Sequence, residues 1–454
     1  MITKDIDIIS LGCSKNLVDT ERLMGKMAAL GYMCHFDPEE PTSPVMVINT
    51  CGFIGDAKEE SINTILANSL RKKAKKNRLE KLYVMGCLSE RYMKELTDEI
   101  PEVDGWFGKF NYERIIDNLK ELDELGKIDE LTIQKSPGNA RQYLDNTAPP
   151  VRTLTTPSHY AYLKISEGCN RMCSYCAIPL ITGRHVSRPM EELIREAEWL
   201  RDQGVQELNV IAQDLSSYGL DLYNEHKLPE LVERLAIIDG IRWIRLHYAY
   251  PTDFPEELLD VMAKHDNVCK YLDIALQHCT THMLNKMRRH ITREEQDALI
   301  RRIRERVPGI CLRTTLMVGH PGETEEEFEA LKSWVREMRF DRLGAFAYSE
   351  EEGTYASRHY ADNIPEEVKQ RRLSELMAIQ QEISSELMAQ KVGQKMQVVI
   401  DRKEDNLYIG RTEFDSPEVD CEVLIEDDNE LQIGKIYTIL ITKAEEFDLH
   451  GTVC

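Results

Sequence analysis

The stretch YAYLKISEGCNRMCSYCAIP, residues 160–179, runs from a short apolar segment into three cysteines, Cys169, Cys173 and Cys176. Residues 160–165 read as a buried strand, and the cysteines fall in the loop behind its carboxyl end. The number of cysteines needs explaining. A structural zinc site takes four ligands, an electron-transfer iron–sulfur cluster takes four cysteines, and the next cysteine along the chain is Cys269. Either a fourth ligand arrives from far away or the site leaves one metal position open. A zinc site, or a redox pair formed by Cys173 and Cys176 alone, is the other reading, and neither accounts for Cys169.

Outward from this stretch the pattern repeats. Strand candidates follow at 207–212, 241–248, 271–276, 310–319 and 342–348, with helical periodicity between them, as at 190–204 and 324–338. Six βα units predict an open or partial parallel barrel, in which chemistry gathers at the strand carboxyl ends. Gln213, Arg245, Gln277 and Arg313 lie at or near strand ends. Each is a candidate contact for a cofactor or substrate, or else a structural hydrogen-bonder. The segment VGHPGETEEEF (318–328) begins like a phosphate loop but lacks its Lys-Ser/Thr ending. It reads as a strand-to-helix turn with Glu325 and Glu326 favourably placed in the first helical turn.

The first third alternates in the same way. Strands are expected at 6–13, 45–51 and 81–87, and helices at 17–31, 55–76 and 89–96, again a parallel α/β sheet. Cys13, Cys51 and Cys87 each stand just past a strand, two of them directly after glycine. A parallel sheet puts those ends on one edge, where open α/β sheets bind ligands, so three thiols distant in sequence are expected to meet. The alternative is three small buried core residues. The basic run 71–76 reads as a solvated helix face. Behind a long helix at 365–391, residues 392–454 carry short strands and turn residues, the pattern of a small antiparallel barrel. The expected domains are 1–140, 155–391 with the trailing helix, and 392–454.

Composition narrows the function. A chain of 454 residues makes about three domains, and no apolar run approaches the ~18–20 residues that cross a membrane. Asp5 and Asp7 stand where an export signal would be basic and then apolar, so a cytoplasmic protein is expected. Twelve cysteines in that setting point to thiolate chemistry rather than disulfides. The net charge of -22 suits a neutral or basic partner better than nucleic acid.

The spacing Cys169-x3-Cys173-x2-Cys176, with Tyr175 before the last cysteine, resembles the signature of the radical S-adenosylmethionine (SAM) enzymes. LGCSKN (11–16), NTCGF (49–53) and GCLSERY (86–92) resemble the cysteine boxes of the methylthiotransferase family, and 392–454 resembles its TRAM domain. The resemblance implies two [4Fe–4S] clusters, each held by three cysteines with one iron open. The sulfur-carrying cluster falls to Cys13, Cys51 and Cys87, and the SAM-binding cluster to Cys169, Cys173 and Cys176. It also implies SAM contacts from among Tyr175, Gln213, Arg245, Gln277, Arg313 and Gly319, the last in a turn with Pro321 and Gly322. One SAM would donate a methyl group and a second would be the radical source, the cofactor carrying the difficult chemistry.

Within that family, LGCSKNLVDTERL, NTCGFIGDAKEESI, AQDLSSYG, YLDIALQH and AYSEEEGTYA resemble the RimO branch more than its tRNA-acting relatives. That branch methylthiolates an aspartate of the twelfth small-subunit ribosomal protein (S12), with an electron donor and a sulfur donor as further partners. The alternative is a tRNA adenosine methylthiotransferase. Residues 392–454 carry six Lys and Arg against fifteen Asp and Glu. An acidic tail repels phosphates and attracts a basic ribosomal protein, although ordinary solubility charge has the same composition. On this reading the tail is a capture module whose removal spares both clusters. Cys279 is expected near the barrel mouth without being a ligand, and Cys34, Cys269, Cys311, Cys421 and Cys454 in packing or surface positions.

Overall fold

The computed structural model describes residues 4–74, 78–125, 132–134, 152–426 and 430–454. They form two compact units. One holds residues 1–155, 166–170 and 176–188; the other holds 156–165, 171–175 and 189–454.

The first unit is built on β1 (Asp5–Ser10), β2 (Met33–Phe36), β3 (Val45–Thr50), β4 (Lys81–Gly86), β5 (Gly105–Phe107) and β6 (Thr132–Gln134). They form one parallel sheet in the order β2-β1-β3-β4-β5-β6. Helices cover both faces, so its central strands carry apolar side chains on both faces rather than alternately. Val45, Val47, Tyr83 and Met85 pack with Leu23 and Met27 on one side. Met46, Ile48, Leu82 and Val84 pack with Ile65 and Leu88 on the other. The helices run Ser14–Ala29, Gly55–Lys73, Cys87–Glu99 and Glu113–Leu125. The basic face at 71–73 is fastened rather than free. Arg71 donates to the Pro41 carbonyl, and Lys72 and Lys73 pair with Asp104 and Glu102. Positions 75 and 76 lie outside the described residues. This unit also holds a short antiparallel pair, β8 (Ser166–Glu167) with β9 (Val186–Ser187), numbered after β7 (Tyr160–Lys164) of the second unit.

In the second unit β7 joins β10 (Glu207–Ile211), β11 (Trp243–Ala249), β12 (Val268–Ile274), β13 (Cys311–Val318) and β14 (Arg342–Ala347). All six run parallel, in the order β14-β13-β12-β11-β10-β7, the expected open βα series. Thr324 caps the helix Glu325–Met338 through a capping box with Glu327, so VGHPGETEEEF is a strand-to-helix turn. The long helix Glu366–Ala389 leads into a closed five-stranded barrel, β15 (Lys395–Glu404), β16 (Leu407–Thr412), β17 (Val423–Glu426), β18 (Ile436–Ala444) and β19 (Leu449–Val453).

That small barrel is seated against the beginnings of the sheet strands. Arg411 reaches Glu207 at 2.9 Å and Asp401 at 2.6 Å. Arg245 also pairs with Glu207, at 2.9 Å, and donates to the Glu413 carbonyl. Arg342 binds Asp415, Arg313 and Tyr271 bind Asp420, and Tyr160 donates to Glu418. Trp243, Cys269, Tyr271 and Cys311 pack with Val399 and Phe414 beside these pairs. Burial pushes the Glu207 carboxyl up, but Arg411 and Arg245 outweigh it and hold the group below the usual carboxylate range. Asp401, Glu413, Asp415, Glu418 and Asp420 are thus acceptors and counter-ions for the sheet, Glu418 at an exposed rim. Part of the tail's acidity is structural.

The tail is therefore not a detachable capture module. Removing it would leave buried Arg342 without its carboxylate, Asp415, and Glu207 without Arg411. Arg411→Met leaves Glu207 with one arginine and Asp401 with His159 alone. Breaking such a buried pair costs about 3–5 kcal/mol, so the denaturant midpoint should fall clearly. Glu404→Gln, on the exposed face of the same barrel, should change stability by less than about 0.5 kcal/mol. Equal effects of the two substitutions would contradict the seating described here.

Candidate functional site

The three amino-terminal cysteines do meet. Cys13 precedes the helix Ser14–Ala29, Cys51 follows β3, and Cys87 opens the helix after β4. Their loops touch closely enough to need glycine. A Cβ on Gly12, whose φ is +92°, would lie 2.8 Å from the Cys51 Cβ. One on Gly52 would lie 2.5 Å from the Cys87 carbonyl carbon. Asn16, fully buried, ties the loops together. Its Nδ2 donates to the carbonyls of Leu11 and Thr50, its Oδ1 faces the Cys87 Sγ at 3.5 Å, and its carbonyl accepts from Asn49.

Buried Lys109 supplies positive charge to this corner. Its Nζ lies 3.9 Å from the Cys87 Sγ and 3.5 Å from both Asp19 and Glu167. Burial opposes the ammonium, but Cys87 and the two carboxylates raise its pKa well above the ordinary value, so it stays charged. Burial pushes the Cys87 thiol up to about 12 and also raises Cys51. Cys13 goes the other way. Desolvation acts to raise it, but its side chain is exposed, and Lys15, Lys109 and two backbone N–H groups hold the thiol below its usual value.

Among the described residues no three Cys, His, Asp or Glu side chains gather on one metal ion. A [4Fe–4S] cluster does not require that, since each thiolate takes a different iron. Three thiols on touching loops, backed by a buried cation, fit such a group. Within the same unit Cys87 packs against Phe53, Ala177 and Ile181, the last two just beyond Cys176. Cys169 is held there too, its N–H donating to the Gly183 carbonyl.

Cys173 belongs to the second unit. Its Sγ lies 3.6 Å from the Tyr250 hydroxyl and 3.3 Å from Nη1 of buried Arg289. Next to it Ser174 contacts the buried His320 ring at 3.1 Å, and burial pulls that imidazole down to about 4, so it is neutral. Tyr175, nearly buried, accepts from Arg289 at 3.5 Å.

The other expected contacts divide. Gln213, Gln277 and Gly319 follow β10, β12 and β13 at the carboxyl edge. Gln277 extends the sheet there, its N–H donating to Thr315 and its carbonyl accepting from Met317. Gly319, with φ +74°, donates to Glu323, which also binds His278 and Arg372. Arg245 and Arg313 require correction. Each is the third residue of its strand, toward the other edge, and each is engaged with the small barrel, so they are structural hydrogen-bonders. Cys279 is fully buried with its thiol pushed up to about 12 by burial, a core residue. Asn16 was visible inside LGCSKN. Lys109, Glu167, Tyr250 and Arg289 carried no sequence signal, because only the folded chain brings them to the thiols.

A parallel βα sheet whose first strand feeds a three-cysteine loop defines the radical SAM class. Accordingly, residues 163–335 match the radical SAM superfamily, 392–454 the TRAM domain, and 5–108 the uncharacterized protein family UPF0004. A radical SAM methyltransferase, TsrM from Kitasatospora setae, solved with cobalamin and a [4Fe–4S] cluster, shares the fold with TM-score 0.54 at 15% identity. That match covers 76% of this chain and 72% of the other. The chain is 59% identical to the ribosomal protein uS12 methylthiotransferase RimO of Phocaeicola vulgatus, over 99% of both chains. It is 60% identical to that of Bacteroides fragilis, over 100% of both. The chain belongs to the RimO family.

The tight packing of the first corner is open to test. Gly52→Ala drives a methyl group into the Cys87 backbone, which has no rotamer to yield. Anaerobically reconstituted Gly52→Ala should lose about half its iron by colorimetric assay, one cluster of two. Gly344→Ala, where a Cβ meets nothing within 4 Å, should keep it all.

Proposed function

We propose that this chain transfers a methylthio group to the β-carbon of an aspartate in ribosomal protein uS12, using SAM and two [4Fe–4S] clusters. The observation that carries the reading is full-length identity of 59–60% to proteins of that name, in a chain with two sets of three cysteines. Cys13, Cys51 and Cys87 hold one cluster; Cys169, Cys173 and Cys176 hold the other. When bound, the two groups supply an electron that cleaves SAM to a 5′-deoxyadenosyl radical and a methylthio group for insertion.

The chain's own residues prepare both sites. Asn16 fixes the three loops that present Cys13, Cys51 and Cys87. Lys109 offsets thiolate charge at Cys87, with Asp19 and Glu167 keeping its ammonium in place. Arg289 and Tyr250 steady Cys173, and Tyr175 packs beside it. Gln213 and Gln277 stand at the carboxyl edge, where SAM and the substrate side chain are received. The acceptor is a ribosomal protein, which places the reaction in the cytoplasm. No helix among the described residues is long and apolar enough to cross a membrane. A net charge of -22 suits a basic protein acceptor rather than tRNA phosphates.

Reconstituted protein should carry about eight irons. Replacing Cys169, Cys173 and Cys176 with Ala should halve that and abolish SAM cleavage. Replacing Cys13, Cys51 and Cys87 should also halve it but leave 5′-deoxyadenosine formation. With reductant, SAM and sulfide, mass spectrometry should find the methylthio group on a uS12 aspartate. Modified tRNA with unmodified uS12 would overturn the reading.

A further inference from the structure

Two buried cations stand next to candidate ligand thiols, and their surroundings differ. Lys109, beside Cys87, has two carboxylates within 3.5 Å. Arg289, beside Cys173, pairs with none among the described residues, though it is only 3% exposed. Its Nη1 meets the Cys173 Sγ at 3.3 Å and the Tyr175 hydroxyl at 3.5 Å, and its Nη2 donates to the Ala275 carbonyl. Its Nε is buried with no hydrogen-bond partner. The guanidinium lies 3.9 Å from the centre of the Tyr250 ring. On that ring sits a second guanidinium, Arg171 at 4.3 Å, but this one is neutralised by Asp214 at 2.7 Å.

A buried cation without a carboxylate is costly unless other negative charge faces it. Among the described residues Cys173 is the sulfur that the guanidinium faces, and as a cluster ligand it is a thiolate. Tyr250 adds a π-face and a hydroxyl that donates to the Arg289 carbonyl at 3.3 Å. The pocket thus holds a fixed positive charge pointed at one sulfur. Hydrogen bonds and charge at ligand sulfurs are what set the reduction potential of an iron–sulfur cluster. A cluster with three thiolates becomes more negative by one charge on reduction, and a guanidinium at one thiolate stabilises that state.

We infer that Arg289 is a positioning residue that raises the reduction potential of the SAM-binding cluster, through its bond to the Cys173 Sγ. The inference rests on the assignment of Cys173 as a ligand of that cluster. One electron enters from an external one-electron reductant; no proton moves, and the guanidinium keeps its charge throughout.

The test is an EPR-monitored redox titration of the full-length reconstituted protein with titanium(III) citrate, following the signal that SAM perturbs. Arg289→Met removes the charge at similar length. It should lower the equilibrium constant for reduction about ten- to a hundredfold, roughly 59–118 mV at 59 mV per decade for one electron. Its iron content should be unchanged. Arg289→Lys keeps the charge and should stay within about threefold of the unmodified protein, some 28 mV by the same conversion. A Met variant with full iron and an unmoved potential overturns the inference. If the Met variant does not hold its cluster, the Lys variant decides, and a loss of tenfold or more there overturns the role of charge. Cys173→Ala retaining all its iron would overturn the ligand assignment instead.

Discussion

Parallel strands deliver every carboxyl end to the same edge of a sheet, and both large sheets of this chain place cysteines at that edge. The geometry explains how residues 38 and 36 positions apart, Cys13 to Cys51 to Cys87, come onto touching loops. It also sets the price of that convergence, which is backbone bulk. Gly12 and Gly52 stand where any side chain would strike the neighbouring cysteine. A parallel sheet must be covered on both faces, so the thiols emerge from an apolar interior and their charge has to be managed by residues brought from elsewhere.

Lys109 and Arg289 do this in different ways. The lysine comes with its own counter-charges, Asp19 and Glu167, so its ammonium does not depend on Cys87 for compensation. The arginine has no carboxylate among the described residues and faces the Cys173 sulfur, the Tyr250 ring and the Ala275 carbonyl. Tyr250, between Arg289 and the compensated Arg171, provides a weakly polar wall that leaves the excess charge facing the sulfur.

Much of this was legible in the sequence. The strands β3 and β4 and the six of the βα series are apolar-rich runs bounded by turns or helices, and cysteines follow β3, β4 and β7. β2, β5 and β6 were not legible. β2 is a half-exposed edge strand of four residues, and the other two have three residues each, too short for any periodicity to register. Arg245 and Arg313 show a different limit. Periodicity finds a strand but not which of its ends faces the chemistry, and an arginine three residues in looks the same from either side. The seating of the tail was hidden for a related reason, because composition cannot separate a surface acid from Asp415 or Asp420, which answer Arg342 and Arg313 of the sheet.

The seat of the small barrel is where the polar content of the sheet interior is resolved. At the start of the strands stand Tyr160, Glu207, Arg245, Tyr271, Arg313 and Arg342, a set that an apolar core cannot hold unpaired. Arg411 and the carboxylates of the 392–454 segment complete these pairs one by one. Apolar residues in the same places would hold the two parts together at least as strongly. Directional partners do something else: Glu207 accepts from two arginines on different segments, so the small barrel has one orientation that satisfies it. With the strand beginnings closed in this way, the carboxyl edge is left for the cysteine loop and its substrates. Glu207 opens β10 at the edge away from the cysteine loop, and the strand it anchors to the small barrel runs on toward Gln213 at the carboxyl edge.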